Sequence, residues 1–171
     1  GAVYEEVTYE GYGPGGAAVI IEASSDNPTR TVADVRHAFS RNGGNLGASN
    51  SVTWMFDKKG QIFLDASKYP EDSTLEAALE AGAEDFQKEG EQYVISTTPQ
   101  TFHAVQDALK ARKFAIESSE VAMVPKNMVK VEGKQAEQMI KLMEALEELD
   151  DVSKVFSNFD IDANQLAEAS N

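Results

Sequence analysis

The hydrophobic rhythm between residues 60 and 127 constrains this chain more than any other feature, because it changes period in a fixed order. Gln61 to Asp65 reads as a strand. Ser73-Thr74-Leu75-Glu76 has the form of a capping box and opens a helix to about Ala83. Glu91 to Ser96 reads as a strand that pairs with Asp85 to Lys88. Thr98-Pro99 opens a second helix, whose apolar positions Phe102, Val105 and Leu109 recur at helical spacing. Ile116 to Val124 reads as the final strand. Strand, helix, strand, strand, helix, strand is the ferredoxin-like βαββαβ order.

The flanks have a different rhythm. Tyr4 to Tyr12 reads as a strand, broken by the turn Gly11-Tyr12-Gly13-Pro14-Gly15-Gly16. Ala17 to Ala23 is a continuous apolar run of the kind a buried strand has. Asn27 caps a helix with Pro28 at its first position, and Gly43-Gly44 ends it after Asn42. Val52 to Phe56 reads as another strand. After a linker, Pro125 to Gly133, comes an amphipathic helix from Lys134 to Leu149, with Met139, Leu142, Met143, Leu146 and Leu149 on one side. Val152 to Asn158 reads as a last strand, and the polar tail from Asp160 is expected to fray. The expected fold is therefore α+β in two modules. A ferredoxin-like domain, residues 60–127, is inserted into a second α+β domain made of residues 1–59 and 128–171. Gly1, not Met, opens the chain and a strand-like run follows almost at once, so an upstream segment is expected.

Charge narrows the function. The net charge of −14 repels a polyanion from the molecule as a whole. The charge is uneven: between Asn27 and Lys59 the cations Arg30, Arg36, Arg41, Lys58 and Lys59 face only Asp34 and Asp57, a local balance of +3 against −17 for the rest. The chain has no cysteine, which excludes disulfides and thiolate metal sites. No apolar run approaches the roughly 20 residues that cross a bilayer. A cytoplasmic protein is expected, with no membrane, cofactor or small-molecule substrate.

The basic island centres on the helix from Pro28 to Asn42. At about 100° per residue, Arg30, Asp34, His37 and Arg41 fall within about 60° of one another, opposite Val32, Val35 and Phe39. Such a face is either simply solvated or a contact for phosphate. Arg30 in the first turn opposes the helix dipole, and a bound phosphate would reverse the sign of that interaction. The flanking glycine loops permit close backbone approach. The candidate contacts for nucleic acid are Arg30, Arg36, His37, Arg41, Lys58 and Lys59, with Tyr12 and Gly13 from the glycine turn.

Other spellings carry less. Gly11-x-Gly13-x-x-Gly16 matches a dinucleotide fingerprint, but a strand-like run follows where that fingerprint needs a helix, and Pro14 removes an amide. Asp160-x-Asp162-x-Asn164 begins like a calcium loop and then has Gln165 in place of glycine. The only histidines, His37 and His103, lie far apart. Glu144, Glu147, Glu148, Asp150 and Asp151 read as a solvated acidic face, or as a surface for a basic protein domain. No nucleophile–base pair is spelled, so no enzyme is expected.

Several longer motifs resemble the YebC/PmpR family in the same order. They are Tyr9-Glu10-Gly11-Tyr12-Gly13-Pro14-Gly15-Gly16, Asp26-Asn27, Arg30-Thr31-Val32-Ala33-Asp34-Val35-Arg36-His37-Ala38-Phe39 and Gly43-Gly44-Asn45-Leu46-Gly47. Phe56 with Lys58-Lys59-Gly60, Glu80-Ala81-Gly82-Ala83-Glu84-Asp85 and Leu146-Glu147-Glu148-Leu149-Asp150-Asp151-Val152 extend the likeness over essentially the whole chain. The resemblance implies three domains: a basic helical domain, then an α+β domain with a ferredoxin-like third domain inserted in it. The residues here resemble the second and third, and the basic first domain has no counterpart among them. Family members are described as probable transcriptional regulators that bind DNA; a mitochondrial relative activates translation, and bacterial members are connected to the ribosome. The resemblance therefore implies a regulator of gene expression whose partner is DNA, or alternatively ribosomal RNA. An acidic protein-interaction scaffold is the third reading.

Overall fold

Alternation along two adjacent strands decides how the first part of the chain is layered. The computed structural model describes residues 3–162, 164 and 165. The elements in chain order are β1 (Glu5–Tyr12), β2 (Ala18–Ser25), α1 (Pro28–Arg41), β3 (Asn45–Leu46), β4 (Phe56–Asp65), α2 (Glu71–Ala81), β5 (Asp85–Glu89), β6 (Gln92–Thr97), α3 (Phe102–Ala111), β7 (Ser118–Pro125), β8 (Val129–Lys130), α4 (Gly133–Glu147), β9 (Val152–Ser157) and β10 (Phe159–Asp160). They divide into two units, residues 1–57 with 124–171 and residues 58–123.

In the first unit β1 and β2 run antiparallel, with Tyr9 opposite Ile21 and Glu10 opposite Ile20. Opposed residues share a face, so Tyr9, Val19 and Ile21 turn one way, and Glu10 and Ile20 the other. The sheet order is β3–β1–β2–β9. Helices α1 and α4 cover the first face. Val35, Ala38 and Phe39 of α1 and Ala136, Met139, Leu142 and Leu146 of α4 close over Val19 and Ile21 in one apolar core. Asn27 caps α1, its side-chain oxygen accepting from the Arg30 amide at 3.2 Å, with Pro28 in the first turn. The buried stripe of α1 is Thr31, Val35, Ala38 and Phe39, so Thr31 takes the place expected of Val32.

Two glycines are fixed by what lies against them. A Cβ at Gly11 would lie 2.5 Å from the Asn45 carbonyl oxygen, on the backbone of the neighbouring strand β3, and one at Gly13 would lie 2.5 Å from the Met139 sulfur of α4. The turn is thus the seat on which β3 and α4 close.

The second face is organised by one carboxylate. Glu10 is only 5% exposed and accepts hydrogen bonds from the amides of Asn50 (2.7 Å), Val52 (3.0 Å) and Thr53 (2.8 Å). Burial pushes its carboxyl upward, but hydrogen bonds from the Thr53 side chain and from the Val52, Asn50 and Thr53 amides outweigh that and hold it below the usual glutamate value. This corrects the strand expected at Val52 to Phe56. Amides that a strand would pair are turned to Glu10, Thr53 to Met55 form a short 3-10 turn, and the strand begins at Phe56.

The second unit has the sheet order β5–β6–β4–β7, in which the first strand lies between the third and the fourth, as the ferredoxin-like pattern requires. Ile62, Leu64, Tyr93 and Ile95 of the sheet pack with Ala78 of α2 and Phe102, Val105 and Leu109 of α3. Helix α2 starts at Glu71, before the expected capping box. The Thr74 and Ser73 hydroxyls bond back to the Pro70 carbonyl, at 2.6 and 3.4 Å, so these residues already lie within the first turn. Likewise α3 starts at Phe102, after a turn in which the Thr98 hydroxyl accepts from the Thr101 amide at 3.1 Å.

The segment read as a linker contains β8, which pairs in parallel with β10. Part of the tail expected to fray is therefore in a strand, and residues 163 and 166–171 of that tail lie outside the described residues. Among the described residues no helix is long and apolar enough to cross a membrane.

Candidate nucleic-acid interface

The first turn of α1 exposes backbone amides and a positive dipole end, and the sequence puts Arg30 there against that field. The structure shows what offsets it. The Arg30 guanidinium lies 3.1 Å from Asp26 and 2.8 Å from Asp151, which the turn between α4 and β9 supplies. The buried Thr31 hydroxyl sits 2.7 Å from the same Asp151 oxygen and 2.6 Å from the Ser25 hydroxyl. The Arg30 hydrogen bond, and after it that of Thr31, keeps the Asp151 carboxyl below the usual aspartate value, against a smaller upward push from burial. Beside this latch is a cleft of about 450 Å³ lined by Arg30, Thr31, Asp34, Glu148, Leu149, Asp150 and Asp151. One guanidinium faces four carboxylates there. Arg30, expected to await a phosphate, is held by acids of its own chain, and Asp151, expected on a solvated face, is part of a latch.

Two turns further along, the same helix has a different neighbour. Helix α4 lies beside α1 on the sheet, and the furrow between them is a groove of about 360 Å³ lined by Asp34, His37, Ala38, Arg41, Asn42, Lys141, Ala145 and Leu149. His37, Arg41 and Lys141 are all exposed. Among the described residues no carboxylate forms an ion pair with Arg41 or Lys141. Ala38 and Ala145 keep the walls low. The groove brings a guanidinium, an ammonium and an imidazole to one surface, with Asp34 the one carboxylate among its lining residues. That arrangement fits a phosphate oxygen, which a guanidinium binds in a two-pronged fashion and an ammonium as a point charge.

Of the eight candidate residues, the structure therefore brings His37 and Arg41 together and adds Lys141, which the sequence reading passed over. Its signal was present: Lys141 precedes the buried Leu142 in the amphipathic helix, at the border of the face that meets α1. Arg36 is exposed, about 100° round the helix from His37. Tyr12 is exposed on β1, with its hydroxyl 3.5 Å from the Ser51 carbonyl oxygen. Its parity with Glu10 puts it on the sheet face away from α1 and α4. Gly13 is a correction: it is buried, its amide donates to the Ala17 carbonyl at 2.7 Å, and the chain it approaches closely is α4, not a ligand. Lys58 and Lys59 belong to the second unit, and Lys59 pairs with Glu84 at 2.9 Å.

Comparison with known proteins bears on this geometry. The family described as TACO1/YebC second and third domain matches residues 4–159. A protein of Gemmatimonas aurantiaca named "Probable transcriptional regulatory protein" is 57% identical over 169 residues, 99% of this chain and 68% of its own length. A protein of Trichlorobacter lovleyi with the same name is 52% identical, over 97% of this chain and 67% of its own length. The chain thus spans about two thirds of these relatives. The crystal structure of a conserved hypothetical protein from Aquifex aeolicus superposes with a TM-score of 0.86 at 44% identity, covering 95% of this chain and 67% of that one.

Proposed function

The chain belongs to the TACO1/YebC family as its second and third domain, and from that premise we propose that it is part of a nucleic-acid-binding regulator of gene expression that grips duplex DNA phosphates in the α1–α4 groove. The observation that carries the reading is the meeting of Arg41, Lys141 and His37 with no ion-paired carboxylate among the described residues. The rest of the molecule is acidic, so contact is local: the groove meets the backbone while the remaining surface is held off. Phosphate contact of this kind orients a partner without reading its sequence. The relatives are named probable transcriptional regulatory proteins, which supports a regulatory role.

The test is duplex binding by this chain, followed by fluorescence anisotropy as a function of salt. Each phosphate contact contributes about 0.9 to the slope of log K against log salt. The double variant Arg41→Glu with Lys141→Glu is expected to lower that slope by about 1.8. An unchanged slope would remove the groove from the interface.

A second reading, contact with ribosomal RNA, is favoured by one observation. Tyr12 and Trp54 are 36% and 65% exposed and both point their polar atoms at the Ser51 carbonyl, at 3.5 and 2.9 Å. RNA recognition commonly stacks unpaired bases on such rings. Co-sedimentation with ribosomes that survives high duplex-DNA competitor supports this reading over the first, and its loss to the competitor supports the first.

A further inference from the structure

Trp54 is the chain's single tryptophan and it is 65% exposed, an unusual place for its largest apolar ring. It is not loosely placed. Its indole N–H donates to the Ser51 carbonyl at 2.9 Å, and the loop that bears it is pinned through the Asn50, Val52 and Thr53 amides to the buried Glu10 carboxylate. The ring is thus pre-oriented, so a ligand that stacks on it loses little freedom in doing so.

Trp54 lines an open cleft of about 370 Å³ with Met55, Lys126, Asn127, Val129 and Asn158. The Lys126 amide donates to the Met55 carbonyl at 2.9 Å and fixes the two walls to each other. The Lys126 side chain is half exposed, and the carboxylate that pairs with it among the described residues, Asp57, stands 3.9 Å away, at the outer limit of an ion pair. Asn158 lines the cleft and is only 3% exposed, its side-chain oxygen accepting from the Ala18 amide at 2.7 Å. The cleft therefore combines a fixed aromatic face, amide hydrogen-bonding groups and one cation.

We propose that this cleft holds a single unpaired nucleobase, stacked on the Trp54 indole with its edge toward Asn127 and Asn158 and its backbone phosphate at Lys126. A base matches all three features at once, because it is a flat ring with a polar edge on a charged strand. An apolar protein side chain would leave the amides and the ammonium facing carbon. A second copy of the chain would bring a further charge of −14 to the first. The inference rests on the reading that the partner is nucleic acid and adds a single-stranded contact to it. Because Glu10, Ile20 and the loop lie on the sheet face opposite α1 and α4, this contact is separate from the groove that takes backbone phosphates.

Trp54 emission reports on the cleft directly, as no other tryptophan contributes. Titration of the chain at low salt with a short deoxythymidine or uridine oligonucleotide is expected to quench it saturably, and a duplex of the same length is expected to leave it nearly unchanged. Trp54→Ala is expected to weaken oligonucleotide binding, followed by anisotropy of a labelled strand, by about 5- to 150-fold, and Trp54→Phe by much less. Lys126→Gln is expected to lower the single-strand salt slope by about 0.7. Arg41→Glu with Lys141→Glu is expected to leave the quench in place, so failure of the groove and failure of the cleft are read separately. The proposal is overturned by unaltered oligonucleotide affinity in Trp54→Ala, by equal quenching with duplex, or by an emission change that follows protein concentration alone, which would identify a second copy as the occupant.

Discussion

The two ends of α1 carry the same kind of residue and hold it in opposite states. At the first turn Arg30 is clasped by Asp26 and Asp151, with Thr31 and Ser25 completing the network. At the last turn Arg41 faces a groove in which His37 and Lys141 are its companions. Helix electrostatics predicts half of this difference. A cation at the N-terminal end is in an unfavourable field and gains from acidic neighbours, whereas one at the C-terminal end is already favoured by the dipole and remains available. The difference teaches that a positive charge counted in a sequence is not a positive charge on offer. What decides is whether a neighbouring element brings a carboxylate to it.

The comparison breaks most severely if the latch itself is loosened. Thr31 is 1% exposed and its hydroxyl is bonded to the same carboxylate that holds Arg30. Thr31→Val keeps the shape and removes the hydroxyl, leaving the Ser25 and Asp151 groups short of a partner. A loss of about 2 kcal/mol in unfolding free energy is expected, measured by urea titration with the denaturant slope unchanged. A loss below about 0.5 kcal/mol would show that water replaces the hydroxyl and that the network matters little to α1.

A smaller effect sharpens the comparison by making Arg30 resemble Arg41. Asp26→Asn with Asp151→Asn removes both carboxylates from Arg30. If groove position alone made Arg41 a phosphate contact, duplex binding would not change. If availability decides, the freed Arg30 adds a contact, the salt slope steepens by about 0.9, and affinity at low salt rises severalfold. Anisotropy on the variant and the parent chain in parallel separates the outcomes.

Much of this was legible in the residues, and the failures share a cause. The ferredoxin-like order, the Asn27–Pro28 start of α1 and the apolar faces of α1 and α4 follow from periodicity and capping, which are local. The latch does not, because Asp151 lies 121 positions from Arg30 and only the packing of α4 and β9 brings it there. Asp26 is close by in sequence but lies just outside the basic island, which begins at Asn27. Glu10 was visible inside a motif, but nothing local marks a glutamate in a strand as the acceptor for three amides some 40 residues later. That one contact also converted the expected strand at Val52 to Phe56 into a turn. Periodicity does not mark Lys141, because it borders the apolar side of the amphipathic helix rather than belonging to it.

The smallest effect is the one that isolates Arg30 from everything around it. Arg30→Ala removes a guanidinium that the latch already occupies, so duplex affinity is expected to stay within about twofold of the parent, whereas Arg41→Ala should lower the salt slope by about 0.9. The same variant changes stability in a defined direction with pH. Asp151 is held below its usual value chiefly by Arg30 and next by Thr31. A carboxyl depressed in the folded state contributes stability that is complete above its unfolded value and disappears as pH falls through its folded value. In the parent chain that loss extends below the usual aspartate value. In Arg30→Ala only the Thr31 and Ser25 bonds remain, so the loss should begin at the same pH, set by the unfolded aspartate, but be smaller and be complete at a higher pH. Urea midpoints measured across the acid range for both chains test this: curves that keep a constant separation at every pH would mean that Arg30 does not set the Asp151 titration, and that the two ends of α1 differ in appearance more than in energy.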